Sequence, residues 1–331
     1  MKNTALLPEG FRHELPAIGY LRLNRVYVLG NGLLLDENRK RIRSPYLPYT
    51  FLNSEKGVKL SAGPVKKTSK FTFVTQDLSL KRVTEPVALL TQPGDRIFGH
   101  WLVDLLPRLA ITRNIHQPLR YIVKNEVLNG NAIKDIESIF NIFDFDRKKA
   151  LGLRPVTNAY FCEELIVPSV VRYGQQIHSF VNSLYFPLRN QMNLVDYLDA
   201  KKVYLSRRKW TPSGQHRVLI NALELEQYYQ DRGYRIVYPE QLSFDQKLNL
   251  VRNAVEVVGE KGSALHLSLF SNKIKKMTVF LNPDEESAGL PLLQQEICRI
   301  QAIDCHYVYG RALESNHGYE ISIDDLIFHN L

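Results

Sequence analysis

The sequence predicts an α/β protein made of two domains with parallel sheets, and three observations carry that prediction. A chain of 331 residues is too long for one small core, and 44% hydrophobic with 23% charged residues is an ordinary globular composition. From Lys201 onward, apolar runs of strand length alternate with helical periods, the pattern of a doubly wound parallel sheet. A shorter alternation of the same kind begins at Glu85.

In chain order, "RVYVLGNGLLLDE" (25–37) reads as a hairpin turning at Gly30, Asn31 and Gly32. The following stretch, with Pro45, Pro48, Gly57, Gly63 and Pro64, offers no periodicity. Then come "EPVALLTQ" as a strand, a helix containing His100, "RYIVKN" as a strand, a helix near 131–140 and "ELIVPSV" as a strand. A linker is expected between 180 and 200. In the second half, "KVYLS" is a strand, "QHRVLINALELEQYYQDRG" a helix ending at Gly233 and "YRIVYP" a strand. "LSFDQKLNLVRNA" is a helix with Ser243 as N-cap and Asp245 and Gln246 in its first turn. "VEVVG", "SALHLSLFS" and "KKMTVFLNP" follow as strand, helix and strand. The expected domains are 1–190 and 191–310, with a tail, 311–331, packing back on the first; the cleft between two such domains is the expected ligand site.

The net charge of +9 implies an anionic partner: nucleic acid, a phospholipid surface or a phosphorylated small molecule. The basic clusters "KKVYLSRRKW" (201–210) and "NKIKKM" (272–277) lack the interleaved aromatics of a single-strand binder, and no helix-turn-helix is recognisable, so nucleic acid is not expected. Three scattered cysteines without C-x-x-C spacing suit a reducing compartment. The first residues lack a signal-peptide core, and no window approaches the roughly 18 apolar residues that span a bilayer. The expected location is cytoplasmic, with peripheral contact to an anionic membrane face left open. Asp144 and Asp146 form a D-x-D pair, but "RKK" directly after them makes a self-neutralised turn the better reading. No histidine pattern supports zinc, so neither a metal nor a cofactor is expected.

Three constellations could carry chemistry. In "GHWLVDLLPRL" (99–109), His100, Asp104 and Arg108 recur every four residues and share a helical stripe, facing a cleft or bulk water, while Pro107 shortens or kinks the helix. An imidazole one turn from a carboxylate builds a general base or an ion pair. In "VEVVGEKGSALHLSLF" (254–269), a buried strand runs into Gly259, Lys261, Gly262, Ser263 and Ala264, an anion site at a helix start that matches neither a P-loop nor a dinucleotide fingerprint. Arg207 and Arg208 follow the strand "KVYLS" at its carboxyl end, where two guanidiniums could clamp a diphosphate. Arg217, Asn221 and Glu224 line one helix face, either a solvated stripe or a supporting set.

With these segments in order, the chain resembles glycosyltransferase family 61, a family of inverting sugar transferases. The resemblance covers roughly 85–285 and rests on "HWLVDLLPRL", "YLSRR" followed by "RVLINALEL", and "YPEQLSFDQKLNLVRNAVEVVGEKGSALHLSLF". It implies a GT-B-like fold of two Rossmann-type domains, a nucleotide-sugar donor held mainly by the second and an acceptor hydroxyl approached from the first. It places the family's histidine and aspartate on His100 and Asp104, its arginine on Arg208 and its glycine loop on Gly259 to Ala264. Glu240 joins the donor-binding set, with Arg108 and His266 in support. Lys261 and Leu267 stand where the family has histidine and asparagine.

The implied reaction is metal-independent transfer to an oligosaccharide or lipid-linked glycan, in capsular or other surface polysaccharide synthesis. Asp104 is expected as the base with His100 orienting it, the reverse assignment being open. The alternatives are a non-catalytic nucleotide-sugar or glycan-binding protein of the same fold, and a basic protein that binds nucleic acid or a membrane surface.

Overall fold

The computed structural model describes residues 17–30, 32–38, 40, 42, 47, 65–68, 71–74, 79–92, 94–130, 133–154, 158–173, 176–191, 200–210, 218–283, 292–313 and 318–331. The chain is a mixed α/β protein with parallel sheets, divided into two compact units, 1–174 and 175–331.

The first unit is built on a mixed sheet in the order 33–35, 20–29, 158–168, 87–89, 120–124, 150–153, with 79–83 also pairing along 158–168. The expected hairpin is present: Leu29 pairs with Leu33, and Gly30 and Gly32 take the positive φ of +54° and +91° that the turn requires. Strand Tyr20–Leu29 runs antiparallel to Asn158–Pro168, so this sheet is not wholly parallel. The strands 87–89, 120–124 and 150–153 are parallel neighbours, and 158–168 runs parallel to 87–89. Their shared carboxyl edge therefore gathers the chain after residues 89, 124 and 168.

The second unit carries a five-stranded parallel sheet in the order 235–237, 202–205, 256–260, 276–281, 304–309. The first four of these strands are those read from the sequence. Helix Phe244–Asn253 closes its capping box: Gln246 N donates to Ser243 Oγ, and Ser243 N donates to Gln246 Oε1.

The boundaries differ from expectation in four places. Helix Phe180–Gln191 occupies part of the expected linker and belongs to the second unit, because Tyr185 is buried edge-on against Phe270 and Arg189 Nε donates to Leu269 O. Residues 192–199 lie outside the described residues. The next helix begins at Ala222, because Val218 and Leu219 instead form a strand beside Gly318–Glu320. "SALHLSLFS" forms a 3₁₀ helix, Leu265–Phe270. The segment 311–331 packs on the second unit, where Tyr319, Ile321 and Leu326 join a core with Tyr204, Tyr229 and Phe280. Among the described residues no helix is long and apolar enough to cross a membrane.

Candidate active site

At the carboxyl edge of the first sheet, the loop after Leu89 is fixed by one buried acid. Asp95 accepts from Lys124 Nζ (2.7 Å) and Thr91 Oγ1 (2.6 Å), and its carbonyl accepts from Trp101 Nε1 (2.7 Å). Lys124 ends the neighbouring strand, so this ion pair ties two strand ends together, and neither charge is stranded out of water.

The helix that follows has three parts: Phe98–His100 is α-helical, Trp101–Leu105 is a π turn, and Leu106–Thr112 is α-helical again. Leu106 N donates to Trp101 O, five residues back. A wider turn relieves the clash that the Pro107 ring would make with the Val103 carbonyl, which lacks an N–H partner at Pro107 in any case. The kink expected at Pro107 is thus a π turn, and it holds Asp104.

The stripe read from the sequence divides. His100 and Asp104 meet, Nδ1 to Oδ2, at 2.7 Å. Arg172, four residues beyond the end of strand 158–168, closes over the same carboxylate, with Nε 2.9 Å from Oδ1 and Nη2 3.2 Å from Oδ2. Burial pushes the Asp104 carboxyl up, but the Arg172 charge and the hydrogen bonds from His100 and Arg172 outweigh it and hold the group far below the usual carboxylate range. An ionised carboxylate only accepts, so His100 Nδ1 carries the shared proton and Nε2 is the basic nitrogen. The imidazole is 27% exposed and the carboxylate 7%, so the histidine is the member that can reach a ligand. Asp104 is thus the buried member of the pair and His100 the exposed one; the expectation from sequence took Asp104 as the base and left the reverse assignment open.

Arg108 turns away from this pair. It is wholly buried and donates to Leu89 O, Pro168 O and Gln92 Oε1, and burial pushes its guanidinium down to about 10. It knits the backbone of two strand ends to the loop and faces neither a ligand nor bulk water.

Gly94 makes the room that the imidazole occupies. Its φ is +88°, and a Cβ there would lie 2.9 Å from His100 Cδ2 and 3.0 Å from Nε2. Gly94→Ala is expected to cost about 1–3 kcal/mol through backbone strain and to displace the ring. Thermal melts and turnover on one preparation check this: a variant with unaltered melting and kinetics would show that the loop yields freely.

In the second unit, the two arginines after strand 202–205 have different settings. Arg207 Nη1 donates to Lys261 O (2.7 Å), its backbone N–H donates to Glu260 Oε1 (3.1 Å), and its guanidinium lies 4.1 Å over the Trp210 ring. A Cβ on Gly262 would lie 3.1 Å from Arg207 Nη1, and one on Gly259 would lie 3.0 Å from Leu205 O, so both glycines permit close approach. Arg208 is turned the other way, onto Glu226. Its Nε lies 3.0 Å from both carboxylate oxygens, and Nη2 donates to the Tyr238 hydroxyl, which itself donates to Glu226. Burial raises the Glu226 carboxyl, and the bonds from Arg208, Ser206 and Tyr238 bring it below its ordinary value. The two guanidiniums therefore do not form a shared clamp.

Ser263 and Ala264 follow Gly262 into the 3₁₀ helix, and the carbonyls of 262, 263 and 264 accept from Leu265, His266 and Leu267. His266 Nδ1 pairs with Gln294 Oε1 (2.8 Å), and Leu267 is in the core. Glu240 lies in the short turn Pro239–Gln241. Asn221 exchanges two hydrogen bonds with the backbone of Ile321, which makes it a tie to the C-terminal segment, and Glu224 is exposed on the outer face of its helix. Arg217 lies outside the described residues. Asp146 caps the turn 147–149 through Lys148 N.

Sequence reading missed Arg172, Lys124 and Asp95. The signal for Arg172 was a basic residue just past a strand, the same signal that singled out Arg207.

The family model described as Glycosyltransferase 61 matches residues 98–279, a span that includes His100, Asp104, Arg172, Arg207 and the loop 259–264. Among solved structures, the chain is similar to that of a dodecameric iron-containing heptosyltransferase, TibC, in complex with ADP-D-β-D-heptose. The identity is 13%, 81% of this chain and 77% of that chain are covered, and the TM-score is 0.30. No curated protein matches.

Proposed function

We propose, from the premise that the chain belongs to glycosyltransferase family 61, that it transfers a sugar with inversion from a nucleotide-sugar donor to a hydroxyl of an oligosaccharide or lipid-linked glycan. The observation that carries this reading is the His100–Asp104 pair at the carboxyl edge of the first sheet, with the histidine as the exposed member. His100 Nε2 takes the proton of the acceptor hydroxyl as its oxygen bonds to the anomeric carbon. The bond from that carbon to the nucleotide diphosphate breaks with inversion, and the electron pair leaves on the diphosphate. Arg207, Lys261 and the loop 259–264 neutralise the departing charge, fixed cations acting where charge develops. The two units share the work as in a GT-B-like enzyme, donor in the second and acceptor in the first, and surface polysaccharide synthesis at the cytoplasmic membrane face is the setting.

The test is a panel of nucleotide sugars, scored for thermal stabilisation and for nucleotide release with an oligosaccharide or lipid-linked acceptor. Stabilisation and acceptor-dependent release with one donor support the proposal, and tight binding without release would favour the non-catalytic reading. Turnover is expected to persist in chelator, and a metal-reversible loss would contradict that part.

Arg207→Ala is expected to weaken binding of the nucleoside diphosphate by about 1.5–3 kcal/mol, the range for a charge-assisted hydrogen bond. Arg208→Ala is expected to leave that affinity within about threefold while lowering the melting temperature, because it strands the buried Glu226 carboxylate. Calorimetry and melting curves on both variants separate the two arginines, and the opposite ranking would reassign them.

A further inference from the structure

We propose that Arg172 is a positioning residue: its two-point grip holds the Asp104 carboxylate in one plane as a pure acceptor, and so selects the Nδ1–H tautomer of the neutral His100 ring, the one whose lone pair is on Nε2. This rests on the reading that His100 accepts the acceptor's proton. The geometry behind it is the arrangement of three donors on two oxygens. Arg172 Nε takes Oδ1, and Arg172 Nη2 and His100 Nδ1 share Oδ2. A guanidinium fork matches a carboxylate in this way and a lysine ammonium cannot.

Among the described residues, the charged and titratable groups that face Asp104 are His100 one turn before it and Arg172 from the segment beyond strand 158–168; Arg108, one turn after it, is turned away and feels Asp104 only through its charge. Burial is the largest influence on Asp104 and favours the protonated acid; the Arg172 charge is the largest influence against it. Without Arg172, burial is opposed mainly by His100, and Asp104 takes up a proton at a higher pH. A protonated Asp104 donates, which turns the imidazole to its Nε2–H form, and the base is lost.

The experiment records ring ¹⁵N spectra of His100, assigned by its absence in His100→Gln, and pH–rate profiles for Arg172→Gln and Arg172→Lys. For Arg172→Gln the expected result is loss of the pure Nδ1–H signature at a pH where wild type still shows it. Turnover there should fall about 10²-fold and recover to within about tenfold of wild type at alkaline pH. Arg172→Lys keeps the charge but not the fork. It should follow the wild-type pH profile with plateau kcat lowered about 3- to 10-fold and KM unchanged.

A glutamine variant with the wild-type tautomer and pH profile overturns the proposal. Should that variant not fold, a lysine variant identical to wild type in kcat and ¹⁵N signature overturns it equally. If His100→Gln turns over normally while the tautomer of Arg172→Gln changes as expected, the proton-acceptor reading falls and the positioning role stands.

Discussion

His100→Gln is expected to lower kcat by about 10² to 10⁴, or about 2.7–5.5 kcal/mol of transition-state stabilisation, with donor affinity within a few-fold and the fold intact. Glutamine matches the reach of histidine and can still donate to Asp104, so the loop and the π turn keep their contacts. What it lacks is a basic nitrogen. The acceptor oxygen then carries its proton into the transition state, and that cost falls on kcat and kcat/KM together. Truncation to alanine is the coarser test, since it also opens space beside Gly94. A glutamine variant with near wild-type turnover would remove the first unit from the chemistry.

The extent to which this site was legible follows from how far apart its parts lie in the chain. The His100–Asp104 contact was visible because four residues is one helical turn, and the π turn between them leaves that spacing usable. The same spacing drew Arg108 into the stripe wrongly. Periodicity shows which face a residue shares, not whether a neighbouring strand's carbonyls wait there to bury it. Arg172 meets Asp104 across 68 residues, a pairing that sheet order creates and no local pattern encodes.

In the second unit, the alternation of strands and helices was legible because parallel strands buried on both faces are continuous apolar runs. The short strand at 218–219 was not, because its partner lies about a hundred residues on, at 318–319. Arg207 and Arg208 are adjacent on the strand's exit, so backbone direction separates their side chains. What decides Arg208 is Glu226, a residue that reads as an ordinary charged position on a helix and is in fact buried.

Asp104→Asn is expected to damage stability and catalysis together, and the joint loss distinguishes an orienting carboxylate from a base. His100 and Arg172 both donate to Asp104, and an asparagine offers one acceptor oxygen and points an NH₂ group at a donor. Arg172, 21% exposed, loses the Asp104 charge, a cost below the roughly 3–5 kcal/mol of breaking a fully buried pair. The imidazole loses the acceptor that fixes its tautomer, and kcat should fall by about 10² to 10⁴.

The pH dependence supplies the check on cause. Asp104 is held below its ordinary range in the folded protein, so its contribution is complete above the unfolded carboxylate value and fades as pH falls below it. The wild-type melting temperature should therefore drop faster than that of Asp104→Asn as pH falls below the ordinary carboxylate range, and the gap between the two should narrow there. A gap that widened in acid would mean that the carboxylate is protonated in the native state. An Asp104→Asn chain that melted and turned over like wild type would mean that neither His100 nor Arg172 depends on it.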